Sequence, residues 1–387
     1  MKIVHLADLH LGFRAYHRAT PRGMNVREAD VADAFRRAVA RTVELRPELV
    51  LIAGDVFHTV RPSNASIAEA FRQLSVLCEG LPDVPVVLIA GNHDSPRSSD
   101  TGNILALFRE IPGVHVVAEE ARAVHLPQVE TSVLCLPHNA LAAEGGDPVP
   151  MEPDPSMRHN VLMLHGTVGG SVAEQKLRYV TEYGGAVVAD TDIGPERWDY
   201  VALGHYHIAT ELAPNMWYAG GIERTSTNVW MEAEGPKGFL EYDTERRRAT
   251  FHPLQTRPVV DLARLSAKGL TAAEADERIR AAVEGVPGGI AGKMVRLVVT
   301  DIPRPVVREL NHKRIREWKA EALHFHVDAR PPEIRRMAAS GAPVRRQTLQ
   351  EQVSSYLAKH WTLSSETLER ARLVELGTHY VDRTEDA

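Results

Sequence analysis

Cysteine is almost absent from this chain, with two in 387 residues, Cys78 and Cys135. Both sit in apolar runs, Ser75-Val76-Leu77-Cys78 and Val133-Leu134-Cys135-Leu136, without the paired spacing of a zinc site, so both read as buried core thiols. No apolar run approaches the roughly 18–20 residues that span a bilayer, which excludes a membrane-embedded role. The opening Met1-Lys2-Ile3-Val4-His5 enters a strand directly, without the basic, apolar and small-residue pattern of a secretory leader, so a cytoplasmic location is expected. Positive charge is not in excess either. The balance is 45 Lys and Arg against 51 Asp and Glu, net −6, which argues against wrapping nucleic acid with the whole surface. The charge is nevertheless uneven, since residues 301–350 hold 11 basic against 6 acidic side chains.

What the first half does have is five short islands of Asp, Asn, His and Gly. They are Asp8-Leu9-His10, Gly54-Asp55, Gly91-Asn92-His93-Asp94, His165-Gly166 and Gly204-His205-Tyr206-His207. Each follows an apolar run of the kind that forms a buried strand, such as Leu49–Ala53 or Val86–Ala90. Metal-type ligands at the ends of five strands along one sheet edge indicate a catalytic metal site.

Between the islands the chain alternates strand and helix. Asn25 caps a helix of about Val26–Leu45, and Asn64 starts a second with Ile67, Phe71, Leu74 and Leu77 at helical spacing. That alternation implies parallel strands in a layered α/β core. Shorter strands follow, then a hairpin-like run with strands at Trp217–Ala219, Phe239–Tyr242 and Ala249–Leu254. The expected fold class is α/β: a two-sheet β-sandwich flanked by helices, with a small α/β domain and C-terminal helices appended. The composition shift near Gln255–Pro258 divides the chain into residues 1–257, residues 258–330, a basic linker over 331–344 and a helical tail over 345–387. In the small domain Thr271 caps a helix Ala272–Val283, followed by a strand Met294–Val299, a helix near Val306–Asn311 and a strand Leu323–Val327. The tail reads as amphipathic helices at Thr348–His360 and Ser364–Leu376, too short to make their own core.

Hydrolysis of a phosphate ester needs an activated water and neutralised phosphoryl charge, which two divalent cations about 3.5–4 Å apart supply. Asp55, beside Gly54, is the candidate bridging carboxylate. Asp8, His10 and His207 complete one site, and Asn92, His165 and His205 the other. Oxygen and imidazole donors without thiolate suit Mn²⁺ or Fe²⁺, with Zn²⁺ as a further alternative. His93 assists at the transition state, and Asp94 orients an imidazole from behind.

The island order resembles the calcineurin-like metallophosphoesterases, over roughly residues 1–255. Within that superfamily the likeness is to SbcD-type DNA double-strand-break repair nucleases, carried by Asp8-Leu9-His10-Leu11-Gly12 with His17, by Gly54-Asp55-Val56-Phe57-His58 with Arg61-Pro62, and by Tyr218-Ala219-Gly220-Gly221-Ile222-Glu223-Arg224. The resemblance implies the same ligand set, with Asp55 shared by both metals. It adds His93 as the transition-state histidine and His58 as a second histidine facing substrate. It implies Mn²⁺-dependent 3′-to-5′ exonuclease action on duplex ends, endonuclease action on single strands, and a nucleoid-associated place in the cytoplasm. The residues after about 259 become a DNA-capping domain. The terminal helices become the dock for an SMC-like coiled-coil ABC ATPase of the SbcC type, and a homodimer is a further family expectation. Arg14, Arg61, Arg97 and His17 are candidate phosphate contacts, as are Lys313, Arg314 and Arg316 in the basic cluster.

Two other readings compete with this one. A stand-alone phosphoesterase for small diesters has little use for about 130 appended residues, and a phosphoprotein phosphatase typically carries Asp-Arg-Gly where this chain has Asp55-Val56-Phe57. A scaffold that has lost its metals lacks ligands, whereas here the set is complete.

Overall fold

The computed structural model describes residues 1–96, 102–142, 149–170, 186–332, 349–359, 361, 370–374 and 376–377. Arg97, residues 143–148, most of the linker expected over 331–344 and the bulk of the helix expected at 364–376 lie outside them. No helix among the described residues is long and apolar enough to cross a membrane.

Two six-stranded sheets form the sandwich. In the first, β1 (Lys2–Leu6), β2 (Leu49–Ala53), β3 (Val86–Ile89) and β4 (Val114–Val117) run parallel side by side. The second contains β5 (Arg122–Leu126), β6 (Thr131–Leu136), β7 (His159–His165), β10 (Tyr200–Gly204), β11 (Thr210–Ala213) and β12 (Met216–Tyr218). The short pair β8 (Thr167–Gly169) and β9 (Val187–Ala189) stands apart. The first sheet is completed by a hairpin, β13 (Lys237–Asp243) and β14 (Arg248–Leu254), with β13 antiparallel to β1.

The period-2 alternation of these strands sets the layers. Ile3, Leu49, Leu51, Val87 and Ile89 face inward against Val133, Cys135, Val161, Met163 and Tyr200 of the second sheet. Their neighbours Val4, Leu6, Val50, Ile52 and Leu88 face outward against α1 (Val26–Leu45) and α2 (Asn64–Gly80). Both strand faces are covered, so these strands read as continuous apolar runs rather than alternating ones. Helix α1 starts where the Asn25 side chain accepts the backbone N–H groups of Arg27 and Glu28, and it buries Val31, Phe35, Ala38 and Val39 at helical spacing.

Several sequence expectations need correction. Helix α2 starts at Asn64 as expected, with the Ser63 side chain as its cap, but Phe71 is exposed while Ala70 takes the inward place. Cys135 is buried but Cys78 is only half-buried, because it lies on the flank of α2. The strands at Trp217 and Phe239 are not a hairpin, since they belong to different sheets. Gly220 lets the chain cross between them: its φ is +76, and a Cβ there would lie 2.6 Å from the Ala209 amide nitrogen.

The small domain has its own sheet, β15 (Val259–Ser266), β16 (Met294–Thr300) and β17 (His324–Ala329), all parallel. It packs on the helix Ala272–Glu284, which Thr271 and Glu274 start as a capping box. The strand β15 was not foreseen, because Asp261 and Arg264 make it read as polar. The helix expected near Val306–Asn311 is Arg304–Glu309, and a separate helix, His312–Glu321, carries the basic cluster. This domain belongs to the same compact unit as the sandwich, Met1–Arg330, while Pro331–Ala387 forms a second unit containing the helix Leu349–Lys359. Within the first unit, Arg257 holds Asp30 through two contacts of 2.6 Å, Arg18 donates to the carbonyls of Lys319 and Ala320, and Tyr16 stacks on His324 at 4.1 Å.

The sheets approach closely where the islands lie. A Cβ on Gly204 would sit 1.9 Å from the Ala53 carbonyl oxygen, and one on Gly54 would sit 2.3 Å from His165 Nδ1. Gly204→Ala should therefore cost about 1–3 kcal/mol by overpacking and spread the site, read as a lower denaturant midpoint together with fewer bound Mn²⁺ ions. A wild-type midpoint would show that the sheets can part there without cost.

Candidate metal centre

Every island lies just beyond the C-terminal end of a central strand: Asp8 and His10 after β1, Asp55 after β2, Asn92 and His93 after β3, His165 at the end of β7, and His205 and His207 after β10. The turns are tight. Asp8, His10, Asp55 and His205 are four of the nine non-glycine residues with positive φ among the described residues, at 50, 49, 51 and 109. Such backbone costs of order 1–3 kcal/mol per residue and persists where the surroundings over-determine it, commonly at functional sites.

The side chains converge in two sets. In one, Asp8, His10 and His207 bring ligand atoms within 4.8 Å of one another, and the Nε2 atoms of His10 and His207 are 3.0 Å apart. In the other, His165 Nε2 lies 3.0 Å from Asn92 Oδ1 and 3.2 Å from Asp55 Oδ2, and His205 Nδ1 lies 3.2 Å from Asn92 Oδ1. Asp55 Oδ2 is also 3.8 Å from His10 Nε2, so this carboxylate reaches both sets. Asp8 touches both as well, grouping with Asp55 and His165 in addition to His10 and His207.

Several contacts aim these rings. The Nδ1–H of His165 donates to the Ala53 carbonyl at 2.8 Å, presenting Nε2 to the cluster. The backbone N–H of His205 donates to both Asp8 oxygens, at 3.0 and 3.2 Å. Asp94 does not orient an imidazole as expected. Its carboxylate accepts the backbone N–H groups of Val56, Phe57 and Gly91, holding the turn after Asp55 against the Gly91 turn. Behind His207 sits a buried ion pair that sequence reading missed: Lys237 and Glu232 bond each other, Glu232 Oε1 is 3.7 Å from His207 Nδ1, and Lys237 donates to the His207 carbonyl. No strand-end motif marks these two residues.

The electrostatics fit cations. Burial lifts the Asp8 carboxyl to about 6 even though His165 and His207 oppose it. Burial also acts against ionising Asp55, but His165 and His10 outweigh it and hold that carboxyl well below the usual range. Burial likewise opposes charge on His165, yet Asp55 and Asp8 raise it to about 9, whereas burial and then His207 keep His10 well below its ordinary value. Two buried carboxylates thus demand positive charge, and the oxygen and imidazole donor set around them is that of a divalent transition metal.

His93 and His58 stand beside this cluster. His93 donates its backbone N–H to Asp55 Oδ1 at 2.9 Å and its Nδ1–H to the His58 carbonyl at 2.8 Å. His58 Nδ1 lies 3.3 Å from His10 Nδ1. Both histidines line a cleft of about 430 Å³ that runs past Arg14, Tyr16 and Ser226 to Met294 of the small domain. Of the proposed phosphate contacts, Arg14 borders this cleft but pairs with Glu28 at 2.8 Å. His17, Arg61, Lys313 and Arg316 are exposed, while Arg314 is half-buried with Glu284 at 3.9 Å.

Comparison with known proteins follows the same pattern. A family model described as calcineurin-like phosphoesterase matches residues 1–209. Among curated proteins, the DNA double-strand break repair protein Mre11 of Methanococcus maripaludis is 26% identical over 211 residues, covering 54% of this chain and 52% of that one. The protein of the same name from Methanocaldococcus jannaschii is 34% identical over 110 residues, 28% of each chain. That from Haloferax volcanii is 27% identical over 272 residues, 68% of this chain and 55% of that one. The chain spans about half the length, or less, of the curated relatives it matches.

Proposed function

We propose, from the premise that the chain belongs to the calcineurin-like phosphoesterase family, that it is a metal-dependent DNA nuclease of double-strand-break repair. The observation that carries the hydrolase reading is the convergence of seven oxygen and imidazole donors from the strand ends of both sheets, with Asp55 reaching both sets. The DNA reading rests on relatives named for break repair and on the cleft beside His58 and His93.

In this reading Asp8, His10, Asp55 and His207 hold one cation, and Asp55, Asn92, His165 and His205 hold the other. Mn²⁺ is the expected metal. When bound, the cations supply Lewis-acid activation of water and neutralise phosphoryl charge. The chain's own residues do the rest. The carbonyl of Ala53 and the amide of His205 fix ligand geometry, and Asp94 locks the two turns that carry Asp55 and Asn92. His93, its Nδ1–H pinned to the His58 carbonyl, offers Nε2 to the phosphoryl group or the leaving oxygen at the transition state. His58 faces the same substrate. The reaction is 3′-to-5′ exonucleolytic on duplex ends and endonucleolytic on single strands.

The residues 258–330 cap the DNA, and 345–387 dock on an SMC-like coiled-coil ABC ATPase of the SbcC type. The exposed Phe71 and Leu107, which share an apolar groove with Ile67, support a homodimer. A nucleoid-associated place in the cytoplasm follows from the DNA substrate. The discriminating assay compares linear duplex DNA, a bis(4-nitrophenyl) ester and a cyclic nucleotide with Mn²⁺. Preference for the cyclic nucleotide would replace the nuclease reading with a small-diester phosphoesterase.

The small domain's part has its own test. Lys313 and Arg316 are exposed on the helix His312–Glu321, whereas Arg314 leans on Glu284. Changing Lys313 and Arg316 to Gln should lower the log–log salt slope of DNA binding by about 2, roughly one per lost phosphate contact. An unchanged slope would remove this helix from the DNA interface.

A further inference from the structure

The second sheet has another strand ending at the same edge. Strand β6 lies between β5 and β7, and its residue Leu136 pairs with Leu164, one residue before His165. Beyond it the chain reads Pro137-His138-Asn139. The backbone N–H of His138 donates to the Ala90 carbonyl at 3.0 Å, so this residue is tied directly to the strand end that launches Gly91, Asn92 and His93. The short helix His138–Ala142 continues over the His165-Gly166 turn, where Leu141 Cδ1 would lie 3.6 Å from a Cβ at Gly166. His138 is thus bracketed by the two islands that supply Asn92 and His165.

Its side chain has the properties of a ligand-facing group. The residue is half-buried, and its Nδ1 is buried with no hydrogen-bond partner among the described residues. A buried ring nitrogen left unpaired is unusual in a native structure and calls for an explanation. The imidazole interacts electrostatically with His165, Asp55, His93 and His205. Burial first, and then His165, hold it below its ordinary value, which keeps it a neutral ring able to donate one N–H.

We infer that His138 is a substrate-binding residue, donating a hydrogen bond to a phosphoryl oxygen of the bound phosphodiester on the Asn92–His165–His205 side of the centre. It is the counterpart there of His58 and His93, which flank the His10 side. This rests on the phosphodiesterase reading of the site and adds a residue to it.

The test uses the full chain loaded with Mn²⁺, with His138→Ala and His138→Gln beside wild type. Three quantities are read: bound Mn²⁺ per chain, affinity for orthophosphate by calorimetry, and kcat/KM on bis(4-nitrophenyl) phosphate. Loss of one hydrogen bond to a charged group weakens binding by about 10- to 100-fold. His138→Ala should lose that much in phosphate affinity and at least as much in kcat/KM, at unchanged metal content. His138→Gln, which keeps an N–H donor and serves if the alanine variant folds poorly, should recover part of both. Wild-type phosphate affinity in either variant would overturn the inference, and so would loss of bound Mn²⁺, which would make His138 a metal ligand. If the loaded wild type binds phosphate but cleaves no diester, the phosphodiesterase reading falls, while the phosphate contrast still decides the place of His138.

Discussion

Asp55→Asn should abolish Mn²⁺ binding at both sites and lower cleavage by about 10⁴-fold or more, the scale on which groups acting as one unit fail. Asp55 Oδ2 is 3.2 Å from His165 Nε2 and 3.8 Å from His10 Nε2, so this one carboxylate reaches both imidazole sets. Asparagine keeps the size of the side chain, and its amide oxygen can still accept the His93 backbone N–H that Asp55 Oδ1 now takes. The charge is what disappears. Without it, Asp8 is the one carboxylate left among the seven donors, too little to hold two dications against desolvation. Two readouts separate metal loss from misfolding: Mn²⁺ per chain, and the rise in thermal midpoint that Mn²⁺ should give the wild type by binding the folded state. The variant should unfold cooperatively and show no such rise. Retention of one full site would mean that Asp8, which also touches both sets, is the shared carboxylate.

His93→Gln should do something different. It should leave Mn²⁺ content and DNA affinity near wild type while lowering kcat by about 10²- to 10⁴-fold, the usual contribution of a positioned acid–base group. The distinction follows from the contacts. The bond from residue 93 to Asp55 is made by the backbone N–H and survives the substitution, so the bridging carboxylate keeps its support. What is lost is an imidazole that lines the cleft and whose Nδ1 is tied to the His58 carbonyl. Separate kcat and KM values decide the matter: a fall confined to kcat marks a transition-state role. Near-normal turnover would take His93 out of the chemistry.

The candidate site was legible in the sequence to an uncommon degree, because its candidate ligands are local. Each sits within a few residues of an apolar strand, and the glycines beside them mark where backbones of opposite sheets touch, as Gly204 does against Ala53. Contacts made across the fold were not legible. Asp94 looked like a partner for an imidazole because it follows His93, yet it binds backbone amides from the Asp55 turn. Glu232 and Lys237 support His207 from a stretch without strand-end character, and only the folded chain brings them together. His138 was passed over for a related reason: a lone histidine after Leu136-Pro137 carries no Asp or Gly to mark it as an island. The strand at Trp217 was placed with its sequence neighbours, but Gly220 sends the chain to the other sheet. Strand β15 escaped because half-exposed strands carry charges such as Asp261, here paired with Arg296 at 2.6 Å.

The central claim is that one two-cation centre in this chain cuts DNA. Its most direct test is the cleavage of an end-labelled linear duplex by protein carrying two Mn²⁺ per chain, with His93→Gln at the same metal content beside it. The expected result is shortening of the wild-type reaction's duplex that chelation stops and that the variant fails to carry out. Intact duplex with the doubly loaded wild type, under conditions where it turns over a small phosphodiester, would contradict it.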